Sequence, residues 1–265
     1  MSGDEIMALI GSMVVAILGW KDWLGGAVFM ERWSRRSSNQ LIAWLAPALA
    51  GGLMLLVLFY WSAHDVRDDS KYIVFYFIMW LGWTGLSNRL WAFLGLSCRD
   101  DLLERDNLAA GVAVGGALLG VTFIFAGGNI GEGPGWWVVV FSAGIATVML
   151  LLLWLAGNWI SRVDEAITID RDLAAGWRWA GFFMGAGLMF GRAVAGDWHS
   201  AGQTTTDFLA RGWPALMLWG VVVGLDLIGR PTPARPSPNP LLLGVLPGLV
   251  LIAAGAGDVY FQGPW

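Results

Sequence analysis

Leu108-Ala109-Ala110-Gly111-Val112-Ala113-Val114-Gly115-Gly116-Ala117-Leu118-Leu119-Gly120-Val121-Thr122-Phe123-Ile124-Phe125-Ala126-Gly127 runs for twenty residues without a charged side chain or a proline. At about 1.5 Å per residue a helix of that length spans about 30 Å, the thickness of a bilayer's hydrocarbon core. The run is continuously apolar and lacks the alternation of a barrel strand lining a polar lumen, so it reads as a helix. Its four-residue glycine spacings, Gly111 with Gly115 and Gly116 with Gly120, let helix backbones approach each other where lipid supplies no hydrophobic drive.

Seven further stretches are similar: Ile6 to Met30, Leu41 to Ser62, Tyr72 to Leu96, Trp136 to Ile160, Leu173 to Ala195, Phe208 to Gly229 and Pro240 to Gly257. The expected fold is all-α, a polytopic transmembrane helical bundle of about eight helices. Composition agrees, with 57% hydrophobic and 14% charged residues against roughly a quarter charged in soluble chains. Lys21 and Asp22 interrupt the first stretch, which leaves a surface-lying or re-entrant segment as its alternative. The Met-Ser-Gly-Asp-Glu start lacks the basic region of a signal peptide, so this segment is expected to stay in the mature protein.

Cations alternate between the breaks. Arg32, Arg35, Arg36, Arg99, Arg105, Arg162, Arg171, Arg230 and Arg235 fall in every second break, and only Arg67 and Lys71 fall in the others. The positive-inside bias places the first set in the cytoplasm and both termini on the opposite, non-cytoplasmic side. A net charge of -4 offers no basic field for nucleic acid. Cys98 is the single cysteine, which excludes an intrachain disulfide and thiol-rich metal sites and reads as a small buried or interface-level residue.

The quoted run returns sixty-five residues later. Leu108-Ala109-Ala110-Gly111 recurs as Leu173-Ala174-Ala175-Gly176, and the same offset matches Asn107 with Asp172, Gly116 with Gly181, Gly120 with Gly185 and Phe125 with Phe190. This implies a duplicated helix pair, residues 72–127 and 136–195, in parallel orientation. Asn107 and Asp172 stand where helix N-caps belong. Gly181 with Gly185 and Gly187 with Gly191 repeat the packing spacing, which puts these two helices at the bundle centre.

Asp106-Asn107-Leu108-Ala109-Ala110-Gly111 and Arg171-Asp172-Leu173-Ala174-Ala175-Gly176 resemble the two Asn-x-Ala-Ala-type helix starts of the YjfL-like bacterial inner-membrane proteins, the domain of unknown function 350 family. The resemblance covers residues 71–198. Asp172 departs from the usual Asn, and two more helices flank the unit on each side, in 1–70 and 199–265. The resemblance implies a bacterial inner (cytoplasmic) membrane location and no activity.

Ionisable residues within spans are the first candidates for function. Lys21, Asp22, Arg89, Arg178 and Asp226 fall at similar depth in the inner half and form a candidate intramembrane charge network, with snorkelling to the headgroups as the plainer reading. On the outer side lie Arg192, Asp207, Arg211, His64 and His199, without metal-ligand spacing. No phosphate-binding Gly-Lys-Ser/Thr loop, Gly-x-Ser-x-Gly elbow or His-Glu-x-x-His helix occurs, so neither a cofactor site nor a catalytic residue is expected.

Tryptophan is in excess, with 18 residues. Trp61, Trp136, Trp137, Trp198 and Trp213 fall at outer boundaries and Trp33, Trp91, Trp159 and Trp177 at inner ones, as interfacial anchors do. Trp20, Trp23, Trp80, Trp83, Trp154 and Trp219 lie deeper, where an indole needs an acceptor or a large apolar surface. Core packing is the first reading of these; a lateral protein partner, a bound lipid or an isoprenoid is the second. The connector Arg230 to Pro240 carries five prolines and reads as a stiff extended spacer.

Two functional classes remain. One is a non-catalytic accessory or scaffold subunit contacting membrane lipids and another membrane protein, or a second copy of itself. The other is a small ion or solute channel or transporter that uses the inner-half charges.

Overall fold

The structure is a computed structural model that describes residues 1–33, 38–230 and 239–263. Arg35, Arg36, Arg235 and the proline-rich connector from Pro231 to Pro238 lie outside the described residues, as do the side chains of Arg32 and Trp33. The described residues are helical and include no strand. In chain order they form α1 (Gly3–Trp33), α2 (Ser38–Tyr60), α3 (His64–Asp68), α4 (Ser70–Phe93), a π-helical turn (Cys98–Glu104), α5 (Leu108–Gly128), α6 (Trp136–Ser161), α7 (Val163–Thr168), α8 (Leu173–Val194), α9 (Ala201–Gly212), α10 (Pro214–Gly229) and α11 (Leu246–Phe261), which a second π turn (Leu241–Val245) precedes.

Among the described residues five helices are long and apolar enough to cross a membrane: Gly3–Val28, Leu41–Tyr60, Leu108–Gly128, Trp136–Ser161 and Leu241–Phe261. A sixth is added if α9 and α10, bent by 46° at their junction, count as one span. Pro214 begins α10 and cannot donate to the preceding turn, which accounts for the bend. The remaining two expected stretches correspond to α4 and α8, long enough at 24 and 22 residues but less apolar. Almost all of α8 is buried between other helices, so its surface faces protein and does not need the apolarity that lipid demands. Lys21 and Asp22 do not break α1, which runs 31 residues and packs along α4.

The core is a row of helices, α2 against α5, α5 against α8 and α8 against α11. Glycine sets the spacing. A Cβ on Gly176 would lie 2.5 Å from the Ala109 carbonyl oxygen, and one on Gly187 2.5 Å from the Gly120 carbonyl oxygen. Gly127 meets the Gly191 backbone equally closely. Such distances admit no side chain, so α5 and α8 meet backbone to backbone and gain dispersion contacts along their length. A glycine pair not anticipated from the sequence, Gly19 and Gly85, does the same between α1 and α4.

The segments leading into α5 and α8 fold alike. Asp106 and Arg171, sixty-five residues apart, both adopt a left-handed conformation, with φ of 51° and 55°. Asn107 N donates to Asp101 O and Asp172 N to Ala166 O; Arg105 N donates to Asp100 O and Asp170 N to Glu165 O. Asn107 Oδ1 accepts from Ala109 N at 3.0 Å and Asp172 Oδ1 from Ala174 N at 2.9 Å. Both side chains therefore cap their helices by satisfying otherwise free amides.

The six deep tryptophans all donate to another helix or its end. Trp20 reaches Leu81 O, Trp23 reaches Ala43 O, Trp80 reaches Thr122 Oγ1, Trp83 reaches Thr147 Oγ1, Trp154 reaches Leu94 O and Trp219 reaches Leu153 O, at 2.7 to 3.2 Å. One acceptor has a backbone origin. Pro47 lies inside α2 and has no N–H for the carbonyl four residues back, that of Ala43, which is where the Trp23 indole binds. The core-packing reading thus covers the polar edges of these indoles, which tie the chain to itself.

Candidate functional site

Arg178 lies one turn beyond the N-terminal turn of α8 and is 1% exposed, a position at which a charge must be paired. Its Nε donates to Asp226 Oδ1 on α10 at 2.7 Å, and Nη2 lies 2.6 Å from the same oxygen. Nη1 donates to the Leu243 carbonyl at 2.7 Å. Pro247 stands four residues after Leu243, so this carbonyl, like that of Ala43, lacks its regular helical donor. The Trp179 indole donates to the other oxygen of Asp226, and Asp172 Oδ2 approaches Arg178 Nη2 at 3.7 Å. One guanidinium thus joins α8, α10 and the start of α11.

Two buried carboxylates share this one cation. Asp172 is also the N-cap of α8, where the positive end of the helix dipole offsets roughly half a charge. With its hydrogen-bond acceptors in α10 and the π turn, Arg178 braces α8 across to both.

The five candidate charges divide between two clusters. Asp22 on α1 pairs with Arg89 on α4 at 2.9 Å and approaches Arg99 at 3.9 Å. Arg89 also donates to Leu18 O at 2.6 Å, and Arg99 Nε lies 2.9 Å from Glu104 Oε1. These groups are partly exposed around a cavity of about 210 Å³ that Asn88, Cys98 and Asp100 also line. Lys21 is exposed beside it. The structure brings Asp22 to Arg89, and Arg178 to Asp226, on helices with no member in common. Hydropathy sets the depth of a residue in a span but not its azimuth, which is why one network was expected where there are two clusters.

The loop between α4 and α5 carries two perturbed groups. Burial pushes the Cys98 thiol up, in keeping with an inert structural residue. Burial also raises the Asp101 carboxyl, opposed by the Ser97 amide and by Arg105, whose Nη1 lies 3.1 Å from Asp101 Oδ1. At the other end of the molecule Arg192, 4% exposed, donates to the carbonyls of Gln262 and Gly263. His64 pairs with Asp68, while His199 contacts the Asp197 carbonyl. Among the described residues no three His, Cys, Asp or Glu side chains converge as a metal site would require.

Sequence reasoning overlooked Trp179, Leu243 and Asn239, whose Oδ1 accepts from Leu241 N at 2.9 Å. The Asn239-Pro240-Leu241 start was the signal for the last of these. It also overlooked Asn129, at the C-terminal end of α5, whose backbone carbonyl accepts from Ala63 N and whose Nδ2 donates to Phe125 O.

The two cap-and-glycine helices, α5 and α8, together with α4 and α6, are what a family model recognises. Residues 69–194 match the model Domain of Unknown Function (DUF350). Over this segment, a little under half of the chain, the protein is similar to the DUF350 family. The match runs from the N-cap of α4 to the end of α8, against the expected 71–198. It takes in both caps, Asn107 and Asp172, and Arg178, and leaves Asp22 and Asp226 in the flanking helices. Comparison with curated proteins and with solved structures gives no match.

Proposed function

We propose that this protein is a non-catalytic accessory or scaffold subunit of a bacterial inner-membrane assembly, built from eight spans around a duplicated DUF350 helix pair. The count is eight if α1, α2, α4, α5, α6, α8, the bent α9–α10 and α11 all cross. α4 and α8 are supported as spans by their length and by packing alongside α1 and α5. Duplication is supported by the matching backbones before α5 and α8, and a periplasmic position for both termini is supported by the cation pattern.

One observation carries the scaffold reading: the polar groups of the core are bound mostly to the chain's own helices, with the buried Trp91 Nε1 and Asn88 Nδ2 as exceptions. The six deep indoles, Arg178 and both caps bind helices, carbonyls or carboxylates of this chain, a construction that holds a fixed shape. The surface left for partners is apolar, as on α1, where Ile10, Ile17 and Leu18 are more than half exposed. It suits lipid and another membrane protein or a second copy. A channel or transporter is the second reading, favoured by the Asp22, Arg89 and Arg99 side chains around the 210 Å³ cavity.

Purification in a mild detergent and then reconstitution separates the two. A second membrane protein recovered at fixed stoichiometry supports the subunit reading. A homogeneous homo-oligomer that carries ion-dependent current in proteoliposomes overturns it.

A further inference from the structure

We infer that α11 is a third copy of the inner helix that α5 and α8 represent, so that the C-terminal pair continues the DUF350 repeat beyond residue 194. The inference rests on the duplicated-unit reading above and extends it to residues that the family match does not include.

The register in which the helices meet carries it. Gly176 of α8 sits on Ala109 of α5; Gly244 sits on Ala174 of α8. Gly187 sits on Gly120, and Gly255 on Gly185. In the reverse direction Gly116 faces Ala180 and Gly120 faces Phe183, while Gly181 faces Gly248 and Gly185 faces Leu251. Every partner on the earlier helix moves by 65 residues and every partner on the later helix by 68. Two unrelated glycine-rich helices also pack closely, but nothing requires their contacts to fall on the same residues in both rotation and axial shift. Four matching contacts fix both.

The start of the helix agrees. Asn239 Oδ1 accepts from Leu241 N and Leu242 N at 2.9 and 3.3 Å, as Asn107 Oδ1 accepts from Ala109 N and Ala110 N at 3.0 and 3.3 Å. Cap to first glycine is four residues in α5 and α8 but five in the third helix, Asn239 to Gly244. The π turn Leu241–Val245 spans this interval, and a π turn is how a helix absorbs one inserted residue without rotating its later turns. The outer helices of the pairs agree too: Trp154 and Trp219 stand 65 residues apart, and each donates to a carbonyl of the preceding pair, Leu94 O and Leu153 O. Where Gly191 lets α8 close on α5, the third helix carries Val259, and Arg192 bridges the outer ends of α8 and α11.

Deleting Leu242 tests the insertion. The deletion restores the four-residue spacing, so the full chain is expected to stay monodisperse in detergent with a melting temperature within a few degrees of wild type. Deleting Ala175 from α8, which has no π turn at that point, is expected to abolish folding. If loss of Leu242 is as damaging as loss of Ala175, the third copy is overturned. An experimentally determined structure in nanodiscs supplies the second test. The operation that superposes α4–α5 on α6–α8 is expected to carry α6–α8 onto α10–α11. If the first superposition holds and the second fails, this inference falls and the duplication stands; if the first fails, the duplication falls with it.

Discussion

Arg178 places two nitrogens on one oxygen of Asp226, Nε at 2.7 Å and Nη2 at 2.6 Å, with both side chains at least 95% buried. Removing one partner strands the other charge in a dry interior, which costs about 3–5 kcal/mol. Asp226→Ala is therefore expected to lower the melting temperature in detergent steeply, whereas the double change Arg178→Met with Asp226→Leu recovers only part of the loss, because Asp172, the Leu243 carbonyl and the Trp179 indole also lose a partner. A single variant that melts like wild type would show that the pair does not hold α8 to α10.

Gly187 faces the Gly120 backbone, and neither main chain can give way. Gly187→Leu and Gly120→Leu are expected to destabilise the protein by about 3 kcal/mol, the upper end of overpacking costs. Gly52→Leu and Gly220→Leu, whose added carbons meet nothing within 4 Å, leave the melting temperature unchanged or slightly raised. Equal effects in the two sets would contradict the backbone-to-backbone row.

Asn107 caps α5 and also donates Nδ2 to Ile167 O at 2.8 Å; Asp172 caps α8 and faces Arg178 at 3.7 Å. The two caps are thus not interchangeable. Asn107→Asp replaces a donor with a buried carboxylate pointed at carbonyls and is expected to be worse than Asn107→Ala, which forfeits the cap and that bond for about 1–3 kcal/mol. Asp172→Asn keeps the cap and is expected to be the mildest of the three. Thermal denaturation of the three variants side by side decides the order.

Asp101 is raised by burial before any other cause. The folded state then holds its proton to higher pH than the unfolded chain, so the contribution from this group is fully present at pH below the ordinary carboxylate range and is lost as pH rises through the raised value. Asp101→Asn is expected to flatten the stability profile on the acidic side of neutrality. An unchanged pH profile in the variant would remove Asp101 as a source of the slope.

Helix α5 was legible because a long uncharged run bounded by an Asn cap has little else to become in lipid. The central position of α5 and α8 was legible from glycine spacing for the same reason. The grouping of charges was not, since Asp22 and Asp226 read as neighbours in depth yet stand on helices from opposite ends of the chain. The carbonyls of Ala43 and Leu243 were also hidden. Pro47 and Pro247 announce that an acceptor is free, but only the packed structure shows that Trp23 and Arg178 take it.

The inner row also bears on biogenesis. Each inner helix leans on the one before it in the chain, α5 on α2, α8 on α5 and α11 on α8. When a new helix leaves the translocation machinery, the surface that receives it is already in the membrane. The bundle can grow by addition in the order of synthesis, with no early helix held open for a late partner, until Arg178 takes the Leu243 carbonyl and clasps the last helix to the row.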